Sequence, residues 1–150
     1  MDRRRRLAVL GVFAAAAVAG LGGCAAPGAP FATLDPVAPG RGHLYVYRKP
    51  ALYAFGAKYK VAVDGAPAGE LPNASYLVLP LSPGRHTLTV DEGGFARPKT
   101  VDVNVEAGRN HFVEYDSSKG LLLGWGLLSG TTARSETEAL ADLKGLNRAN

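Results

Sequence analysis

Between His43 and Tyr115 apolar and polar positions alternate in short runs, and each run is closed by glycine, proline, asparagine or aspartate. A period of two over about 4–8 residues marks a strand with one dry and one wet face. The pattern predicts strands at 43–48, 58–63, 76–81, 85–91, 99–105 and 110–115, with a weaker one at 68–71. Leu77, Leu79 and Leu81 share a face, as do His86, Leu88 and Val90, and Val101, Val103 and Val105, and Val61, Val63 and Val113 join this inward set. Thr87, Thr89, Asp102, Asn104 and Glu114 then point to water. Further on, Ser135-x-x-Glu138 reads as a capping box that opens a short helix carrying Leu140 and Leu143, with Gly145 near its end. The fold class that follows is mainly β, an antiparallel sandwich of about seven short strands with a short C-terminal helix.

The breaks between runs have their own chemistry. Asp64-Gly65 tolerates the positive φ values of a tight hairpin, and Pro83-Gly84 suits a type II turn. Gly93-Gly94 and Ala107-Gly108 mark two more reversals. Pro80 has no N–H for a ladder, which places 76–81 at an edge or a bulge.

Ahead of the strands lies a different kind of text. Arg3 to Arg6 form a basic start, and Leu7 to Gly22 form an apolar stretch of signal-peptide length that spans a bilayer only marginally. The sole cysteine, Cys24, follows at once, and the run Leu21-Gly22-Gly23-Cys24 resembles the lipobox of bacterial lipoproteins. That resemblance implies a signal peptide over 1–23, lipid attachment at Cys24, and a membrane as the partner of the lipidated N-terminus. Ala25 in place of an aspartate implies export to the periplasmic face of the outer membrane rather than retention at the inner one. Two alternatives stand beside it: cleavage by an ordinary signal peptidase after Ala17-Val18-Ala19, and an uncleaved anchor. The first leaves a lone thiol in an oxidising compartment, where it would mispair.

The leader also changes the charge balance. The whole chain carries 17 Lys and Arg against 13 Asp and Glu, but four arginines and one aspartate fall in residues 1–23, leaving 13 against 12. A nearly neutral mature chain has no electrostatic footprint for nucleic acid. Residues 24–42 hold Pro27, Pro30, Pro36 and Pro39 among alanines and glycines and read as a tether with few groups able to pack, clearing the domain from the lipid. Residues 43–118 form the sandwich domain, and 119–150 add an apolar segment and the short helix.

Candidate chemistry is sparse. His43, His86 and His111 are the one set suggesting a metal, yet their strand phases keep them from converging, so neither a metal nor a cofactor is expected. No serine stands in a Gly-x-Ser-x-Gly elbow and no glycine-rich loop precedes a helix, so no catalytic residue is assigned and an enzyme is not expected. Tyr45 and Tyr47 share a strand face, and Tyr53, Phe55 and Tyr59 crowd the connection from Pro50 to Lys60. Such aromatics pack a sheet or stack on a sugar or a peptide. Asn73-Ala74-Ser75 matches a glycosylation sequon and reads as a turn. Leu121 to Leu128, with Trp125 at its centre, is apolar but too short to span a bilayer; it either packs on the sandwich or docks a partner. Tyr45, Tyr47, Tyr53 and Trp125 are thus the candidate partner-binding residues.

Leu44-Tyr45-Val46-Tyr47-Arg48, Val61-Ala62-Val63-Asp64-Gly65, Gly69 with Leu71, Ser75-Tyr76 and Pro83-Gly84-Arg85-His86-Thr87-Leu88 together resemble a family of small bacterial lipoproteins built on a domain of unknown function, DUF2846, over about 43–115. The Asp-Gly and Pro-Gly-x-His pattern is also similar to PEGA-type surface β domains. Neither resemblance implies a reaction. The expectation is an exported, lipid-anchored envelope protein with a binding or structural role, its partner an envelope protein or a glycan; the alternative is an accessory hydrolase or glycan-processing enzyme.

Overall fold

The computed structural model describes residues 26–52, 54–94, 96–116 and 130–150. Cys24, Tyr53 and the whole of Leu121 to Leu128 with Trp125 lie outside the described residues. The described strands are β1 (Gly42–Arg48), β2 (Tyr59–Val63), β3 (Ala66–Leu71), β4 (Ser75–Leu81), β5 (Gly84–Asp91), β6 (Lys99–Val105), β7 (Asn110–Asp116) and β8 (Gly130–Arg134). Helix α1 (Glu136–Leu143) and the two-residue β9 (Asn147–Arg148) follow. They form a mainly β sandwich of two sheets, ordered β8-β7-β1-β4-β9 and β3-β2-β5-β6. The second sheet is antiparallel throughout. The first is mixed, because β1 pairs in parallel with β7, and β4 with β9.

Of the predicted inward set, Val61, Val63, Leu77, Leu79, Leu88, Val90 and Val113 are buried between the sheets, while Leu81, Val101 and Val103 pack against that core only partly buried. Leu44, Val46, Leu77, Leu79, Val113 and Tyr115 of the first sheet meet Tyr59, Val61, Val63, Leu71, Leu88 and Val90 of the second. The hairpin between β2 and β3 turns at Asp64-Gly65, both at positive φ (52° and 80°), as an Asp-Gly turn requires. Pro80 stands on β4 where that strand is an edge, since β9 reaches only Ser75 and Tyr76.

The other face of the first sheet is also covered, which alternation alone does not foretell. Tyr45, Tyr47, Tyr76, Val78 and Phe112 pack with Ala139 and Leu143 of α1 and with Leu146, forming a second core. Ser135 caps α1 as predicted: its Oγ accepts from the Glu138 N–H at 3.4 Å, and the Glu138 carboxylate accepts from the Ser135 N–H at 3.1 Å. Of the two leucines expected on one side of the helix, Leu143 is buried and Leu140 only partly so; Ala139 takes the buried place one turn earlier. Because β8 and α1 cover this face, Glu114 is 2% exposed rather than in water as its strand phase suggested.

The segment before β1 packs as well, so the expectation of a chain with few packing groups is corrected here. Gly28 N–H donates to Arg148 O and Arg148 N–H to Ala29 O, both at 2.9 Å, and Phe31 N–H donates to Leu146 O. Phe31 and Leu34 then lie on the second core, with the Phe31 ring edge-on to Tyr76 at 5.6 Å. Asp35 makes a two-pronged ion pair with Arg148 at 2.7 and 3.1 Å, and its N–H donates to the Tyr45 hydroxyl at 2.7 Å. Apolar side chains two or three residues apart suffice to hold an extended segment when a strand offers its backbone alongside.

Candidate functional site

One end of the sandwich gathers the groups that packing alone does not use. β1 ends there at Arg48, which is completely buried despite its charge. Its guanidinium lies over the Tyr59 ring at 4.2 Å, and its two terminal nitrogens donate to Ala57 O at 2.9 Å and Ala54 O at 2.8 Å. Burial pulls the Arg48 pKa down, against the fields of Tyr59, Tyr115 and Glu92, which push it up. Asn73 braces the same connection from the far side: its Oδ1 accepts from the Ala51 N–H, and its Nδ2 donates to Ala51 O, each at 3.0 Å. The sequon asparagine is thus a bracket between loops. Held at both points, the loop turns through Ala54 at φ 50°, a left-handed value that an alanine does not choose freely. Leu52 and Phe55 are left projecting, 91% and 60% exposed.

Beside this loop a cleft of about 170 Å³ shares Pro50 and Ala51 with it and is otherwise lined by Lys49, Glu114, Tyr115, Asp116 and Arg134. Glu114 is clamped between Lys49 Nζ at 2.8 Å and Arg134 Nε at 2.7 Å. Its hydrogen bonds push the pKa of both cations up. Lys49 also faces Asp142 of α1 at 3.6 Å, and the Tyr47 hydroxyl donates to Asp142 at 3.0 Å. Burial, followed by the Asp142 bond, holds the Tyr47 hydroxyl far above its usual pKa. The network ties α1 and β8 to the sheet. Among the described residues, no serine, cysteine or histidine lines the cleft.

Of the predicted partner-binding residues, Tyr45 and Tyr47 are fully buried in the second core, where Tyr45 stacks on Phe112 at 5.4 Å; they offer no face for stacking on a ligand. The reason is α1, which covers a strand face that alternation alone leaves open to solvent. Of the aromatics in the connection, Phe55 is exposed and Tyr59 is buried under Arg48. Arg48 is absent from the predicted site residues, because an arginine closing a strand ordinarily reaches water. The signal available was a charged residue amid aromatics at the end of an apolar run, with small residues and no acid following.

The histidines do not meet. His43 is buried against Tyr45, and the backbone N–H of Glu106 donates to Nε2 of His111 at 3.0 Å. His86 fastens two turns: Nδ1 lies 2.7 Å from Asp64 Oδ2 and Nε2 lies 2.8 Å from Ser82 O, while Asp64 Oδ1 accepts from the Thr87 N–H. Among the described residues no three His, Cys, Asp or Glu side chains are grouped to hold a metal. Only the imidazolium donates to a carboxylate and a carbonyl at once, so the Asp64 and Ser82 bonds raise the His86 pKa. The Thr87 and His86 bonds lower that of Asp64. His86 therefore stabilises the fold fully below its unfolded pKa of about 6.5 and loses that contribution as pH rises through the raised folded value. Asp64 stabilises above about 3.9 and loses its contribution on acidification. The stability difference between the native protein and His86→Gln should peak between about pH 4 and 6.5. Urea midpoints across pH check this, and a difference independent of pH would refute the clamp.

No curated protein matches the chain. Residues 38–124 match the family described as a protein of unknown function, DUF2846, and the chain belongs to that family. The match takes in β1 to β7, with Arg48, Asn73 and the His86 clamp, and leaves out the segment 26–37, β8, α1 and β9.

Proposed function

We propose that this chain is an exported protein of the bacterial cell envelope, anchored at the periplasmic face of the outer membrane by lipid on Cys24, and that its domain binds a partner or serves as an envelope structural element without catalysis. The observation that carries this reading is the run Leu21-Gly22-Gly23-Cys24 behind a basic and apolar leader. Acyl chains on one cysteine bury many methylenes at about 0.8 kcal/mol each, so the attachment lasts. Cys24→Ser should abolish labelling by a radioactive fatty acid and leave an unprocessed precursor. Labelling that survives the substitution ends the lipoprotein reading, while an acylated protein in the inner-membrane fraction overturns only the sorting read from Ala25.

The binding part is supported by the braced loop. A buried arginine, a side-chain bracket and a left-handed alanine hold two apolar side chains in water, which costs stability that packing does not return. Such anchors suit a protein or glycan surface with an apolar pocket. Leu52→Ser with Phe55→Ser should shift stability by no more than about 0.5 kcal/mol. A photo-crosslinker at position 52 should capture a discrete envelope partner in intact cells, and one at Thr100 on the second sheet should not. Equal capture at both positions would remove the loop from the site.

A further inference from the structure

We infer that the domain is seated directly on the bilayer with one fixed edge toward it, the edge made by β9, the segment 26–31 and the neighbouring rim of β4. The inference rests on the lipid-anchor reading of Cys24 and adds what the fold does with that anchor. On sequence alone, 19 residues from Cys24 to Gly42 separate lipid from domain. In the fold, the ordered contacts begin far earlier. Ala26 is 6% exposed, Gly28 and Ala29 exchange backbone hydrogen bonds with Arg148, Pro30 bridges Asn147, and Asp35 grips the Arg148 side chain. Two peptide units separate Ala26 from Cys24 and span at most about 7 Å. A lipid on Cys24 therefore pulls on the β9 edge and leaves the domain little freedom to swing.

Gly28 shows how close the seating is. A Cβ there would lie 2.5 Å from Arg148 O and 2.8 Å from Arg148 Cβ, so only glycine lets the two backbones meet. The segment runs antiparallel to β9, from Leu146 at Phe31 to Arg148 at Gly28, which carries Ala26 toward the Asn150 end. That direction leads away from Ser75 and from Asn73, which braces the loop at Ala51, so a bilayer at the β9 edge leaves Leu52 and Phe55 free for a partner.

The opposite edge of the first sheet is β8, four strand spacings or about 19 Å from β9. The full-length lipidated protein is reconstituted in vesicles of phosphatidylethanolamine and phosphatidylglycerol that carry a headgroup-linked nitroxide quencher. A maleimide dye is placed at Asn150→Cys or at Thr132→Cys, both exposed in the fold. Acylated Cys24, the one native cysteine, does not react with it. Quenching at position 150 should exceed that at 132 by at least about two-fold, given their separation across the sheet. A flexible insert of about 15 residues between Ala25 and Ala26, reaching roughly 20 Å, should erase the difference. Gly28→Val, which unseats the segment, should do the same without lengthening the chain. Equal quenching at the two positions in a protein that is acylated overturns the seating and leaves the anchor standing. A mature protein without lipid overturns both.

Discussion

Arg48→Ala should cost about 4 kcal/mol of stability, a large fraction of what a domain of this size possesses. The guanidinium is wholly buried, and its removal acts in three ways. Ala54 O and Ala57 O each lose a charged donor in a part-buried bond, a loss of about 1–2 kcal/mol apiece. The Tyr59 ring loses a desolvated cation worth roughly 2 kcal/mol. The space left behind closes only in part. These contributions overlap, so the total falls below their sum. Arg48→Lys should recover less than half of the loss, since a single ammonium neither spans two carbonyls nor lies flat on a ring. Urea titrations read both effects as a lower midpoint at unchanged slope. An Arg48→Ala protein within about 1 kcal/mol of the native one would mean that the loop finds other support, and the case for a built, strained binding loop would weaken with it.

The seven strands from β1 to β7 were legible because each has a run of alternating residues and a turn of recognisable chemistry at its end. β8 and β9 were not. Gly130–Arg134 has no apolar alternation, and Asn147–Arg148 is a strand only because β4 lies beside it. The second core was hidden for a related reason. Tyr45, Tyr47 and Tyr76 alternate with Leu44, Val46 and Leu77, and tyrosine suits a wet face as well as a dry one, so a helix 60 residues and more downstream decides which it is. Glu114 was misread with them. Of the braced loop, Phe55 was legible as an aromatic in a connection. Its rigidity was not, because Arg48 and Asn73 act through carbonyl and amide contacts that leave no periodic trace. The proposed anchor is the reverse case: Cys24 is read entirely from its neighbours in sequence.

A protein beginning at Gly42 should be less stable than one beginning at Ala26 by about 3 kcal/mol. Cutting at Gly42 strips Phe31 and Leu34 from the second core, and at about 25 cal/mol per Å² two half-buried side chains of this size contribute roughly 2 kcal/mol. It also leaves Arg148 without its carboxylate and the Tyr45 hydroxyl without the Asp35 N–H, each worth about 0.5–1.5 kcal/mol. The losses fall on β9 and α1, so hydrogen exchange should quicken there first and leave the core between the sheets protected. Both forms should still unfold in one transition that ignores chelator and reductant, since neither contains a cysteine and the three histidines stand on separate contacts. A midpoint that falls with chelator would return a metal to the histidines. Equal stability of the two forms would return residues 26–41 to the role of a tether, and the proposed seating of the β9 edge would lose its support.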